Sequence, residues 1–376
     1  MPGKWKIPFN RPALVGRELE YVRQAIEEGH ISGGGDFTAR CQLLLRDLLD
    51  AEAVMLTTSG THALEMAALI LDIKPGDEVI MPSFTFVSTA NAFALRGARI
   101  VFSDVREDTL NMDEDILPSL ITERTKAVVP VHYGGVACEM NEILGICEPR
   151  RIPVVEDNAH GLFATYRGEY LGTLGRMAAL SFHETKNVTC GEGGALIIND
   201  PSIVSSAEVI RDKGTDRSRF LRGEVDRYTW VSPGSSYQPS DMLAAYLLAQ
   251  LEKREEIAEK RMKLWNGYME GLADWAAVND VRLPSVSDHC RHSAHVFYML
   301  MPDQRARDAL MDRLRSRGIL AVFHYQPLHL SSMADGEFDC PNTVSAASRL
   351  LRLPLYHDLD EDEQAVVIAG VKDFHV

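Results

Sequence analysis

The 376-residue chain contains no apolar run approaching the roughly 20 residues a membrane-spanning helix needs, so an integral membrane protein is not expected. Its opening segment, MPGKWKIPFNRP, has none of the apolar core of an export signal, and a cytoplasmic location is the expectation. Cysteine is sparse. Six residues (Cys41, Cys138, Cys147, Cys190, Cys290, Cys340) lie scattered without CxxC or other metal-ligand spacing, which points to reduced thiols, no disulfide frame and no metal site. Positive charge is in deficit, 39 Lys and Arg against 54 Asp and Glu, for a formal charge of −15. That disfavours a nucleic-acid partner, whose affinity comes mainly from neutralising phosphates. A small anionic ligand stays compatible, because a few backbone N–H groups and one cation can make a local site. Internal repeats and low-complexity stretches are also missing. So is a GxGxxG after the first strand, where TTSGTHAL stands instead, and this removes the usual nicotinamide-dinucleotide loop.

What is present is an ordinary globular composition, 45% hydrophobic and 25% charged. From about Ala53 to Asp200, short Val- and Ile-rich runs alternate with amphipathic segments. AVMLTT, DEVIMP, ARIVFSDV, KAVVPVHY and PVVEDN read as strands; THALEMAALIL, VSTANAFALRG and MNEILGICEPR read as helices. The expected fold class is α/β, a mostly parallel sheet covered by helices. The stretch from about Ser240 to Trp275 reads as one long helix, apolar first and charged in the middle, leaving this sheet. Beyond PSVSD, the runs HVFYMLM, ARDALMDRLRSRG and ILAVFHYQPLH suggest a smaller α+β unit. The expected organisation is a large domain over 1–245 including the N-terminal segment, a bridging helix region over 246–284, and a small C-terminal domain over 285–376. The N-terminal segment itself reads as a helix followed by a loop at Gly33-Gly34-Gly35.

Ligands of such sheets sit beyond the carboxyl ends of the strands, so the residues just after each strand are read most closely. After AVMLTT come Ser59, Gly60 and Thr61, opening a helix; they serve either as plain N-caps or as backbone donors to a phosphate. After VIMP come Phe84 and Phe86, core rings or a stacking face. Asp157 ends an apolar strand and caps its loop or pairs with a cation; His160 follows in NAHG. Ser181 stands five residues before Lys186, within SFHETKNVTCGEGGALIIND. A solvated surface lysine is one reading of Lys186. The other is an amine held to react with a carbonyl. Pyridoxal 5'-phosphate needs a lysine for its Schiff base, an acid at the ring nitrogen and a phosphate cup, and benefits from a ring against its face. All of these occur in one sheet.

These stretches, VVEDNAHG, SFHETKN with GEGGALIIND, and MPSFTFVSTANAFALRGARIVFSDV, resemble the DegT-type sugar aminotransferases over nearly the whole chain. The resemblance implies the type I aminotransferase fold and pyridoxal 5'-phosphate as cofactor. It implies that Lys186 carries the cofactor and that Asp157 pairs with the ring nitrogen. Ser59, Gly60, Thr61 and Ser181 would hold the phosphate, Phe86 would stack on the ring, and His160 would lie beside its phenolic oxygen. It implies a nucleotide-linked keto sugar as acceptor, L-glutamate as amino donor, and a homodimer with sites at the interface. Many relatives carry a GYNYR loop that reaches the neighbouring subunit; here GSSYQPSD stands in its place, with Ser236 as the cofactor-contact candidate and Gln238 beside it. His324, Tyr325 and His329 in VFHYQPLH are sugar-site candidates or satisfied residues of a buried strand, and His132-Tyr133 carry the same ambiguity. A sugar dehydratase on the same scaffold is the nearest rival; its characterised 3-dehydratase branch has His in place of the lysine.

Overall fold

The computed structural model describes residues 5–375. Seven strands build the main sheet: β1 (Ala53–Thr57), β2 (Glu78–Pro82), β3 (Arg99–Ser103), β4 (Thr125–Val128), β5 (Val155–Asp157), β6 (Met177–Ser181) and β7 (Gly194–Ile198). Their spatial order is β1-β7-β6-β5-β4-β2-β3, the β4–β5 junction being made by the parallel bridges Val128 to Val154 and Val131 to Asp157. Neighbours are parallel except around β7, which runs antiparallel to both β1 and β6. The expected mostly parallel sheet is therefore observed, with one reversed strand.

Side-chain alternation explains why both faces are covered. On β1, β6 and β7, residues Met55, Met177, Ala179, Leu196 and Ile198 join the core beneath the helix Gly60–Ile70. The intervening Val54, Leu56, Ala178, Leu180, Ala195 and Ile197 join a second core with Phe37, Cys41 and Leu45 of the helix Asp36–Leu49 and Leu247, Leu248 and Leu251 of the helix Asp241–Glu252. Three of the five residues of β6 are alanine or methionine at its start, small or adaptable enough for helices to close on both sides.

The long helix read over 240–275 is broken at Lys253 into Asp241–Glu252 and Arg254–Val278. Its first piece belongs to the sheet's core; its second packs Leu264, Tyr268 and Leu272 against Phe297, Leu314 and Val371 in a separate core. That core lies around the antiparallel pair β8 (Phe297–Leu300) and β9 (Leu350–Leu353), with the helices Gln304–Ser316 and Glu361–Lys372. Ile7 joins it as well, through a parallel bridge to Ile319. Among the described residues no helix is long and apolar enough to cross a membrane.

The glycine loop before Asp36–Leu49 has a tertiary cause. Gly35 is the N-cap and has no side chain to cap with, so Asp241 supplies the acceptor, 204 positions beyond Phe37. Its carboxylate accepts from Phe37 N at 3.2 Å, Thr38 N at 2.8 Å and Thr38 Oγ1 at 2.6 Å. A Cβ at Gly35 would collide with that carboxylate. Asp241→Ala is expected to leave two helix-end donors and a hydroxyl buried without acceptors, lowering the urea midpoint by the equivalent of about 2–4 kcal/mol. An unchanged midpoint would show that the cap is dispensable.

Candidate active site

The carboxyl ends of β1, β5 and β6 lie on one edge of the sheet, and the start of β7 meets them there, with Gly194 facing both Thr57 and Ser181. A cavity of about 790 Å³ opens above this edge. Its walls bring together ten of the residues singled out in the sequence: Ser59, Gly60, Thr61, Phe86, Asp157, His160, Ser181, Lys186, His324 and Tyr325.

At the β1 end, Ser59 Oγ accepts from His62 N at 3.1 Å, so it is an N-cap in fact as well as in prospect. Thr61 Oγ1 donates to Ser88 Oγ at 2.7 Å. The loop is pressed against β6 and β7. A Cβ on Gly60 would lie 3.0 Å from Ser181 Cβ, and one on Gly194 would collide with the backbone of Ser59 and Gly60. The second half of GEGG is thus a packing requirement of the loop. A helix N-terminus lined by small residues and two hydroxyl side chains suits a phosphate, which makes this end fit the cofactor expected from the sequence.

Phe84 and Phe86 take opposite parts. Phe84 is buried, its ring 5.1 Å from Tyr133 and 5.6 Å from Tyr325, whereas Phe86 is 57% exposed and faces the cavity. Phe86 precedes the helix Val87–Ala94, and one turn along that helix Thr89 Oγ1 donates to Asp157 Oδ2 at 2.7 Å. Thr85 and Thr89 hydroxyls are paired at 2.8 Å, and Ala159 N donates to Asp157 Oδ1 at 3.2 Å. Asp157 is buried, and its carboxylate is oriented before any ligand arrives. Beneath it, neighbouring Glu156 accepts from Gly172, Leu174 and Gly175 N and pairs with His132 Nε2 at 2.9 Å. His132 is therefore a scaffold residue, not a cavity residue.

Lys186 stands in the turn between β6 and β7, half-buried. Burial lowers its pKa to about 8 from 10.5; Asp157 opposes that shift and Arg352 adds to it. The neutral amine is accordingly accessible near physiological pH. The solvated-surface reading of this lysine does not hold.

The opposite wall is aromatic. His160 stacks on His295 at 4.3 Å, and Asn187 beside the lysine bonds His295 Nδ1 at 2.9 Å. Asn187 Nδ2 donates to Ser293 O at 2.7 Å, which turns its carbonyl oxygen toward His295. Arg261, fully enclosed, donates to the carbonyls of Ala294 and His295 and fixes this segment. His160 Nδ1 accepts from Gly134 N at 3.3 Å, leaving the ring proton on Nε2, 3.4 Å from the Tyr325 hydroxyl. Tyr133 OH meets His324 Nδ1 at 3.0 Å. Burial first, and then nearby Lys186 and Arg352, hold His160, His295 and His324 well below the ordinary imidazole pKa. These rings are neutral, so the wall presents hydrogen-bonding faces without charge.

Two candidates lie elsewhere. His329 is buried behind the cavity, its Nδ1 2.6 Å from Ser83 Oγ, because the short helix Leu328–Leu330 turns it toward β2. It is a satisfied structural histidine. Ser236 is exposed and bridges Asp212 on the outer surface, away from this chain's own cavity. Sequence reasoning missed Thr89, His295 and Arg352. Thr89 was legible as sharing a helix face with Phe86. The other two sit more than a hundred residues from Lys186 with no local signal.

Residues 12–372 match the sequence model of the DegT/DnrJ/EryC1/StrS aminotransferase family. Among solved structures, the chain is similar to the aminotransferase TlmJ from Streptoalloteichus hindustanus, with 32% identity over 98% of each chain and a TM-score of 0.91. It is similar to a DegT DnrJ EryC1 StrS aminotransferase from Brucella abortus, with 30% identity over 96% of this chain and 95% of that one, at a TM-score of 0.87. It is also similar to the putative sugar aminotransferase Spr1654 from Streptococcus pneumoniae in its PMP form, with 25% identity over 98% of each chain and a TM-score of 0.90.

The buried amine generates a stability prediction for the cofactor-free protein. A lysine whose folded pKa lies below its unfolded value costs stability in full below the folded pKa, about 8, and the cost fades as pH rises toward 10.5. Cofactor-free Lys186→Met should therefore be more stable than cofactor-free wild type at pH 7, by about 1–3 kcal/mol once partial solvation through the cavity is allowed for. The gap should narrow between pH 8 and pH 10, read from urea midpoints. Equal midpoints at pH 7 would contradict a desolvated amine.

Proposed function

The chain belongs to the DegT/DnrJ/EryC1/StrS aminotransferase family, and from that premise we propose that it transfers an amino group from L-glutamate to C4 of a nucleotide-linked 4-keto-6-deoxyhexose. It is a pyridoxal-phosphate-dependent aminotransferase of the type I fold. The observation that carries the reading is the convergence, in one cavity, of the Lys186 amine, the oriented Asp157 carboxylate and the small-residue helix opening Ser59–Gly60–Thr61.

When bound, pyridoxal phosphate supplies the electron-withdrawing ring that lets a carbon beside nitrogen give up its proton. The chain's own groups do the rest. Ser59, Gly60, Thr61 and Ser181 would hold the phosphate, and Phe86 would stack on the ring. Asp157 offers a carboxylate already fixed by Thr89, matched to a protonated ring nitrogen. Lys186 would carry the cofactor at rest and, once released, its Nζ would serve as base and then acid for the donor's α-proton, in the neutral form that burial favours. His160, whose Nε2 lies beside the Tyr325 hydroxyl in the cavity, would donate to the ring's phenolic oxygen. His324 and Tyr325 line the same cavity and would face the sugar.

For the substrate, the stretches GDEVIMPSFTFVSTANAFALRGA, PVHYGGVACEM, DRYTWVSPGSSY and VFHYQPLH resemble dTDP-4-amino-4,6-dideoxygalactose transaminase. The proposed conversion is dTDP-4-dehydro-6-deoxy-D-glucose to dTDP-4-amino-4,6-dideoxy-D-galactose, and a cavity of about 790 Å³ is in the size range of small-molecule sites. The segment carrying Ser236 also presents Tyr228, Val231 and Trp230, the last 76% exposed. Those apolar residues support a homodimer in which Ser236 reaches the partner's site.

The decisive experiment incubates the purified protein with pyridoxal phosphate, reduces it with borohydride and maps the adduct by mass spectrometry. The adduct is expected on Lys186 and absent in Lys186→Ala, which should also lose turnover; full activity in that variant would refute the assignment. Asp157→Asn is expected to keep the cofactor and lose at least about a hundredfold in rate. With glutamate and a panel of nucleotide 4-keto sugars, NMR couplings at C4 of the product should report the galacto configuration, and a gluco product would overturn the proposed sugar.

A further inference from the structure

A second, small cavity adjoins the first. It holds about 20 Å³ and shares Lys186 and Asn10 with the larger one. The N-terminal segment, the lysine loop and the helix Arg254–Val278 all contribute to its walls. Arg261 lines it from that helix and is only 3% exposed. Its Nε donates to Ala294 O at 3.2 Å and its Nη2 to His295 O at 2.7 Å, while Nη1 makes no hydrogen bond. Both acceptors are neutral carbonyls. Burial alone lowers the pKa of this guanidinium, to about 10, and no carboxylate lies close enough to oppose the shift. An enclosed charge of this kind is costly unless it is paired. The rest of the lining shares its sign. Arg11 and Lys186 add positive charge, the one acid on these walls, Glu184, is exposed, and His357 Nδ1 is enclosed without a partner.

We propose that this cavity binds one monoatomic anion, chloride being the expected occupant, as the counter-ion of Arg261. The volume admits a single body about the size of a water molecule, which leaves out phosphate, sulfate and the carboxylates of free amino acids. A water would give Nη1 an acceptor and leave the charge unpaired. A halide ion does both, and hydrogen bonds from a charged donor to an anion are among the strong ones. Glu184 is the rival, since its carboxylate turned inward would serve Arg261 instead; as placed, it is exposed and is not felt at the guanidinium. Position gives the anion a structural consequence. Asn10 Nδ2 donates to Glu184 O at 3.0 Å, so the N-terminal segment already touches the lysine loop here. Filling the space beside that contact ties the segment to the loop that carries Lys186.

The test needs no substrate and so is independent of the sugar assignment. Holoenzyme is unfolded by heat at constant ionic strength while sodium gluconate, whose anion is too large for the cavity, is replaced stepwise by sodium chloride or bromide. Crystals soaked in bromide are examined for anomalous scattering. The unfolding midpoint should rise saturably with either halide, by about 2–4 °C, as linkage to a bound ion requires. A bromide peak should lie in the small cavity against Arg261. Arg261→Met should lose the halide response, and Glu184→Gln should reach it at lower chloride, because a competing negative charge has gone. Should Arg261→Met fail to fold, the wild-type titration and the bromide map decide alone. An ordered water with no bromide peak, or a peak without any response in solution, which is binding at crystal concentration only, would overturn the proposal. So would a response confined to Glu184→Gln, which would assign the counter-ion role to Glu184.

Discussion

The Lys186 amine sits where water cannot fully stabilise its charge, and much of the cavity is arranged around that condition. Lys186 owes its lowered pKa first to enclosure. Asp157 pulls the other way, but Thr89 and Ala159 already occupy part of its hydrogen-bonding capacity, and its position on β5 directs it into the cavity as a partner for something bound there. Had Asp157 been free to turn onto the lysine, a tight ion pair would hold the amine protonated. The threonine pair Thr85–Thr89 thus has a chemical consequence beyond local packing.

The same logic extends to the wall opposite. Three imidazoles close to a lysine and an arginine would be a concentration of positive charge if they were protonated, yet each is kept neutral by burial and by those cations. They remain useful as shaped, hydrogen-bonding surfaces. Their tautomers are set by backbone and amide partners, Gly134 N for His160 and the Asn187 carbonyl for His295. Charge in the cavity is reserved for Lys186, Arg352, Asp157 and the mouth residue Glu192, which is mostly solvated and lies near His183.

Topology makes this possible. Because β7 runs backward between β1 and β6, the loop carrying Lys186 folds directly over the ends of β1 and β6, and Gly194 lets the Ser59–Thr61 loop lie against it. The second core, built around Phe297, Tyr268 and Leu314, then presents β9 and the segment from Val322 to Tyr325 to the sheet edge as the far wall. Asp241, reaching back to cap the helix Asp36–Leu49, ties the N-terminal part to the helix that leads out to that second core.

The sequence alone determined five of the seven strands of the sheet and the helices between them, since Val- and Ile-rich runs and their spacing express burial that is local to each element. It also marked Ser59–Thr61, Asp157, Ser181 and Lys186, because each follows its strand and the strand end fixes its place. The reversed β7 and the break at Lys253 were not legible, for neither strand direction nor a hinge between two cores leaves a local pattern. Phe84 and Phe86 were indistinguishable on paper and were separated only by which one the body of the protein covers. Ser83 claimed His329 across 246 positions, and Arg352 came to line the same cavity as Lys186 from a distant part of the chain. Such pairings are decided when two cores dock, and only tertiary structure can show which polar groups find a partner and which charge is left waiting for one.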